Sequence, residues 1–230
     1  MTERIVILTG AGLSAESGLD TFRSAGGIWS RVRLEDVATP EAFERDPVRV
    51  HAFYNARRRA AMAAGPNVAH EALARLQRDF AGSVTIVTQN VDGLHEAAGA
   101  SVLHMHGQLD QALCATCASR WPAPPEMAPS DACPTCGALA TRPDIVWFGE
   151  IPYYMDEIET ALSEATLFAA IGTAGQVYPA AGFVDAARSV GARTVELTLE
   201  RSDISARFDE IDHRPATEAV PAWVARLLGG

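Results

Sequence analysis

Arg4-Ile-Val-Ile-Leu-Thr9 runs without a break into Gly10-Ala-Gly12-Leu-Ser14-Ala-Glu-Ser17-Gly18. A short apolar run that ends in a glycine-rich turn reads as a buried strand. Strand, glycines and helix start in that order let a fold bring backbone N–H groups against a pyrophosphate. Gly-x-Gly alone is equally a tight strand-to-helix turn. The ordinary dinucleotide pattern also wants an acidic residue at the end of a second strand about twenty positions on. Here that strand is missing, and Phe22-Arg23 and the loop Gly26-Gly27-Ile-Trp29 stand in its place. The stretch therefore predicts a dinucleotide site of a variant kind.

Outward from it, strands and helices alternate. Further strands are predicted at Val84 to Thr88, Val102 to His106, Leu167 to Ile171 and Thr194 to Leu199. Helices are predicted over Pro40 to Ala64, Val68 to Phe80, Tyr154 to Ser163 and Ala180 to Arg188, with Asn67 as an N-cap. Alternation of this kind predicts an α/β fold: a doubly wound, largely parallel Rossmann-like sheet. Residues 1–108 and 142–230 would form the main domain, with a helical insertion at about 34–66 and a small module at 109–141.

That module holds all four cysteines, Cys114-x2-Cys117 and Cys133-x2-Cys136, with fifteen residues between the pairs. The spacing is that of a tetrahedral four-thiolate zinc site, one ion per chain. Two disulfides would need an oxidising compartment, and redox pairs would want a helix start that Trp121 to Pro129 does not resemble. With its ligand set full, such a site is structural, so the chemistry lies elsewhere.

The chain has 230 residues, a formal charge of -10 and 19 basic residues, every one of them arginine. The acidic balance argues against nucleic-acid binding. The missing lysine excludes Schiff-base chemistry and a Walker-type lysine. No apolar run reaches the length of a membrane span or a signal-peptide core, so a soluble, cytoplasmic protein, monomeric and without a membrane partner, is expected.

Two clusters carry chemistry. Thr88-Gln89-Asn90-Val91-Asp92 sits at the carboxyl end of a strand, where ligands bind in such sheets. Asn-x-Asp is also a good turn sequence. His104-Met-His106-Gly107 follows, and strand alternation would put both rings on one face. The reading favours one histidine as a general base and the other in packing or hydrogen bonding, over a metal pair.

Taken together, these blocks resemble the sirtuins, NAD-dependent protein-lysine deacylases. The resemblance spans nearly the whole chain. It rests on Gly10 to Gly18, Thr88 to Asp92, His106-Gly107, the cysteine pairs, Val146-Trp-Phe-Gly-Glu150, Gly172-Thr173, Val177-Tyr-Pro-Ala180 and Pro221-x-Trp223. It implies that Gly10, Ala11, Gly12, Phe22 and Arg23 line an NAD pocket, with Ser14 near the phosphates. Gln89, Asn90 and Asp92 would hold the nicotinamide and its ribose, and Gly172, Thr173, Thr198 and Ala216 would lie along the adenosine half. His106 matches the family's catalytic base and Asn90 assists by orientation. Val146, Phe148 and Gly149 would offer an extended edge to the substrate peptide backbone. Implied products are free lysine, nicotinamide and O-acyl-ADP-ribose.

Departures are Ala174 and Thr198, where the family usually has Ser and Asn. Asp20-Thr21-Phe22-Arg23 is similar to a bacterial and mitochondrial branch. In that desuccinylase-type branch a Tyr-x-x-Arg pair meets acidic acyl groups, and Tyr54 and Arg57 match it, one helical turn apart. Ala38 matches the branch's small residue at the acyl pocket. The competing reading makes Arg57 the start of a solvated run, Arg57-Arg58-Arg59. Succinyl or malonyl removal, with acetyl as well, is expected. Protein ADP-ribosyl transfer or a silent NAD or ADP-ribose sensor are the alternatives.

Overall fold

The computed structural model describes residues 3–21 and 27–229, and of Trp29 the backbone alone, so Phe22 and Arg23 lie outside the described residues. Six strands, β1 (Arg4–Thr9), β2 (Ser83–Thr88), β3 (Val102–His104), β7 (Leu167–Ile171), β8 (Arg193–Leu197) and β9 (Glu210–Asp212), form one sheet in the order β3-β2-β1-β7-β8-β9. Every pairing in it is parallel. The remaining strands, β4 (Gly107–Cys114), β5 (Arg120–Pro122) and β6 (Thr141–Ile145), make a second, antiparallel sheet in the order β5-β4-β6. Ten helices are described: α1 (Ala11–Ala15), α2 (Ile28–Arg31), α3 (Leu34–Val37), α4 (Pro40–Arg45), α5 (Pro47–Ala63), α6 (Val68–Asp79), α7 (Leu94–Ala97), α8 (Met155–Ser163), α9 (Phe183–Ser189) and α10 (Ala216–Leu227).

β1 is apolar from Ile5 to Leu8 because both faces of the sheet are covered there. Alternation along it sends Ile5 and Ile7 to one layer, with Leu73, Leu76 and Trp223 of α6 and α10. Val6 and Leu8 go to the other, with Ile158 and Leu162 of α8 and Phe183 and Val184 of α9. From β1 the chain steps outward through β2 to β3, then returns to β7 on the other flank of β1 and steps out again. The β1/β7 boundary is thus the switch point at which a doubly wound sheet opens a crevice.

A third cluster joins the helical segment to the small sheet: Val37, Ala38, Ala42, Val50 and Tyr54 pack on Leu109, Ile145 and Trp147. The single helix expected over Pro40 to Ala64 is two. Pro47 has no N–H to continue α4, and Asp46 accepts from Arg49 N at 3.0 Å, capping α5. The strand expected through His106 stops at His104. Gly107 must turn there, with φ of +79° and a virtual Cβ 2.0 Å from the Asp144 carbonyl oxygen. The helix expected from Ala180 opens as a 3-10 turn, Ala180–Gly182, before α9. Among the described residues no helix is long and apolar enough to cross a membrane.

Candidate active site

A cleft of about 560 Å³ lies at the carboxyl ends of β1, β7 and β8. Backbone contact shapes its floor. Gly10 N donates to Ile171 O at 2.9 Å and Gly12 N to Gly172 O at 2.8 Å. A Cβ on Gly12 would stand 2.8 Å from Gly172 Cα, and Gly172 itself has φ of +62°. These glycines therefore let two chain turns touch, a demand separate from any ligand. Gly10, Ala11, Gly12, Gln89, Asn90, His106, Gly172, Thr173, Thr198 and Ala216 all line this cleft. A second cavity of about 360 Å³ shares Ala11, Arg57, Asn90 and Val91 with it and adds Ser14 and Asp92. Two joined lobes across a switch point, with side-chain amides and hydroxyls in their walls, fit an elongated dinucleotide.

Beneath the shared wall the polar groups are wired together. Asn90 Nδ2 donates to Gly10 O and to Ser14 Oγ, each at 3.1 Å. Ser14 in turn donates to Asp92 Oδ2 at 3.1 Å, and Leu94 N donates to Asp92 Oδ1 at 3.2 Å. Burial pushes the Asp92 carboxyl above its usual range, against the pull of those two bonds. Gln89 Nε2 donates to Thr173 Oγ1 at 3.0 Å, tying the β2 and β7 ends together.

Two histidines missing from the sequence reading support this wiring. His70 and His95 meet edge to face with ring centroids 5.1 Å apart. His95 Nε2 lies 3.0 Å from Thr9 Oγ1, and His70 Nε2 lies 3.5 Å from Ser14 Oγ. Burial lowers their pKa values to about 3 and about 4, so both rings are neutral. Asn67 was legible as an N-cap of α6. Its partner His70, three residues on, was the available signal, since the two complete a capping box.

His104 and His106 part company. His104 has acceptors at both nitrogens, Asn90 O at 3.0 Å and Glu96 Oε1 at 2.8 Å, so both carry protons. Burial opposes that charge, but Glu96 and the Asn90 carbonyl outweigh it and hold the pKa above the usual histidine value. His106 lies beyond the strand, half-buried, on the cleft wall. Its Nδ1 sits 3.2 Å from the Gln89 carbonyl, which can only accept. The proton is thereby fixed on Nδ1, and Nε2 keeps its lone pair. Burial lowers the His106 pKa, against the raising effect of Gln89 O. A neutral imidazole of fixed tautomer in a cleft wall is a competent general base.

α5 contributes Tyr54 and Arg57 to the lining of the same cleft. Trp147 Nε1 donates to Tyr54 Oη at 3.1 Å, and burial raises the phenol pKa to about 12. Burial also lowers the Arg57 pKa, countered first by Tyr54. The run Arg57-Arg58-Arg59 is not one solvated face. Arg58 is 2 % exposed, while Arg59 is exposed and pairs with Glu126. Ala38 lines neither cavity; it is buried, and its carbonyl accepts from Phe148 N at 3.0 Å.

The edge expected over Val146 to Gly149 is only half extended. Val146, Phe148 and Gly149 do line the cleft, but Trp147 to Glu150 form a turn, with Glu150 N on Trp147 O at 3.0 Å and Gly149 at φ of +95°. Arg142 holds that turn. It donates to both Glu150 carboxylate oxygens, at 2.7 and 2.9 Å, and stacks 3.5 Å from the Trp147 ring centroid.

The four cysteine Sγ atoms lie within 4.8 Å of one another, with Cys114–Cys136 and Cys117–Cys133 both at 3.7 Å. Thiolates about 2.3 Å from a tetrahedral zinc stand about 3.8 Å apart, so the cage fits that ion and excludes S–S bonds. Ser119 Oγ, 3.1 Å from Cys117 Sγ, and Thr135 N, 3.4 Å from Cys133 Sγ, steady the sulfurs from outside. None of the four lines the cleft.

Comparison with known proteins agrees with this geometry. The Sir2 family profile matches residues 10–179. Over 230 residues the chain is 52% identical to an NAD-dependent protein deacylase of Caulobacter vibrioides, covering 98% of this chain and 97% of that one. An NAD-dependent protein deacylase of Escherichia coli is 52% identical over 231 residues, covering 99% and 83%. Among solved structures, a Sir2 homolog–NAD complex superposes with a TM-score of 0.90 at 35% identity, over 98% of this chain and 90% of that chain. An ADP-ribose complex of a Sir2 homologue gives 0.92 at 35% identity, over 99% and 92%. A profile match over most of the chain, and relatives this similar along nearly all of it, place the protein in the Sir2 family.

Proposed function

We propose that this chain is an NAD-dependent protein-lysine deacylase that prefers acidic acyl groups such as succinyl or malonyl and also accepts acetyl. The observation that carries the reading is one cleft lined both by a fixed-tautomer base, His106, and by a phenol–guanidinium pair, Tyr54 and Arg57. Bound NAD supplies an electrophilic ribose carbon with nicotinamide as its leaving group. Gly10, Ala11, Gly12, Gly172, Thr173, Thr198 and Ala216 would hold its adenosine and phosphate half. Asn90, Asp92 and Ser14 would hold the nicotinamide end in the smaller lobe, contributing orientation. The acyl carbonyl oxygen would bond to that ribose carbon as nicotinamide leaves. Nε2 of His106 would take a proton from a ribose hydroxyl, and the freed oxygen would attack the acyl carbon, with water completing the release of the lysine amine. The Arg57 fork and the Tyr54 hydroxyl would receive the distal carboxylate of the acyl group. Phe148 and Gly149 would flank the acyl-lysine where it enters.

A base of this kind is of no use to a silent sensor, and this favours catalysis. Rates on one peptide bearing acetyl-lysine or succinyl-lysine, with and without NAD, test the reading. NAD-dependent turnover favouring succinyl, with the preference lost in Arg57→Met and turnover cut about 10²–10⁴-fold in His106→Ala, is the expected result. Equal rates untouched by Arg57→Met would leave a plain deacetylase. A mass increase on an acceptor protein without deacylation would make it an ADP-ribosyltransferase.

A further inference from the structure

Helix α5 has two faces in use. Tyr54 and Arg57 look into the cleft. Asn55 and Arg58, each one residue on and about 100° round the helix, meet the cysteine module. The Asn55 amide pairs with Met127 as a strand would. Its Nδ2 donates to the Met127 carbonyl at 2.8 Å, and its Oδ1 accepts the Met127 N–H at 3.0 Å. Arg58 adds three bonds: Nε to Leu109 O at 2.5 Å, Nη1 to Asn55 Oδ1 at 2.8 Å and Nη2 to Met127 Sδ at 3.1 Å.

Asn55 is 6 % and Arg58 2 % exposed, and among the described residues no carboxylate pairs with this guanidinium. A buried guanidinium bonded to one backbone carbonyl, one side-chain amide and one thioether, with Glu126 and Asp110 acting on it only through space, is a poor way to stabilise a fold. It is a good way to fix geometry, because a planar fork with three separate acceptors tolerates little rotation. The clamp also reaches the cleft lining contributed by the segment after β2, since Leu109 N donates to Val91 O at 2.8 Å, between Asn90 and Asp92.

We propose that Asn55 and Arg58, clamped on Met127 of the cysteine module, are positioning residues that set the acyl selectivity of the Tyr54–Arg57 pair. They fix the rotation and height of α5, and with it the placement of the Tyr54 hydroxyl and the Arg57 fork in the cleft. The inference rests on the carboxylate reading of that pair. Bidentate recognition of a carboxylate is lost with small misplacement, whereas an acetyl group makes no such contact. Loosening the clamp therefore penalises acidic acyl groups selectively.

The test compares wild type with Asn55→Ala, Arg58→Lys, Met127→Leu and Arg57→Met on acetyl- and succinyl-lysine forms of one peptide. Asn55→Ala and Arg58→Lys are expected to raise the succinyl KM by about tenfold or more while the acetyl KM stays close to wild type. Met127→Leu keeps the packing volume and loses the sulfur acceptor, so it shifts the selectivity ratio less, in the same direction. It also decides the matter if the other two fail to fold. A merely structural clamp would lower the melting temperature and both rates in parallel, leaving the ratio of the two kcat/KM values unchanged, and that result overturns the proposal. A wild-type preference abolished by Arg57→Met but intact in Asn55→Ala and Met127→Leu sinks this inference alone. A wild type with no preference sinks the carboxylate reading and this inference with it.

Discussion

Two histidines separated by one residue have pKa values pushed in opposite directions: burial lowers that of His106, while the Glu96 carboxylate, which His106 lacks, overcomes burial at His104. Among the described residues the His106 ring bonds the Gln89 carbonyl through Nδ1, which leaves Nε2 with its lone pair, and burial favours the neutral ring. As the proposed base it must be unprotonated, and burial depresses its pKa. The acid limb of kcat/KM should therefore fall below the ordinary histidine value of about 6.5. A pH–rate profile checks this, and a limb above 7 would remove His106 from the role. His106→Ala should cost kcat about 10²–10⁴-fold. His104 behaves in the opposite sense. Its folded pKa is raised, so its pairing with Glu96 stabilises fully below about pH 6.5 and fades as pH climbs through the folded pKa. Glu96→Gln should thus lower the melting temperature at pH 6 and much less at pH 9. An equal loss at both would mean the ring is not charged. From the sequence alone, His-x-His looked like one strand face. In the structure β3 ends at His104 and His106 lies in the turn that follows, so the two rings have separate surroundings.

At the scale of elements, local patterns were legible and long-range joins were not. β1 and β7 stood out because a buried parallel strand carries a continuous apolar run, Ile5 to Leu8 and Leu167 to Ile171, and β2 by its β-branched Val84 to Thr88. The split of the expected Pro40 to Ala64 helix was visible too, in Asp46-Pro47, a cap followed by a residue without a donor. The Arg57-Arg58-Arg59 run could not be sorted from sequence, because what buries Arg58 is a carbonyl from residue 109 and a sulfur from residue 127. Nor could the pairing of His70 with His95, or the turn that Arg142 and Glu150 impose on Trp147 to Glu150. The antiparallel sheet β5-β4-β6 is thin, and β4 ends at a cysteine, so the thiolate cage supplies what its small core lacks. Removing zinc with a chelator should raise hydrogen exchange first through Gly107–Cys114 and Thr141–Ile145, and only later in β1 and β7. Simultaneous loss of protection throughout would mean the module and the main sheet unfold as one unit.

For the molecule as a whole, the decisive contact is between the two halves of the sheet, where the turns after β1 and β7 meet closely at Gly10, Gly12 and Gly172. Gly172 has φ of +62°, and a Cβ there would lie 2.4 Å from Leu13 N, a backbone atom that cannot swing away. Gly172→Ala carries about 1–3 kcal/mol of backbone strain from the positive φ, with the clash added to it. Relief requires the α1 turn to lift from β7, which would open the floor on which the proposed NAD site is built. Two effects then separate in one thermal-shift experiment. Without ligand the variant should melt several degrees below wild type. With ADP-ribose the wild-type midpoint should climb as RT ln(1 + [L]/Kd), while that of the variant should barely move. A variant that is destabilised yet shifts as far as wild type would show that the glycine contact serves folding alone. The cofactor would then be held by side chains such as Gln89, Asn90 and Thr173, and not by the backbone floor.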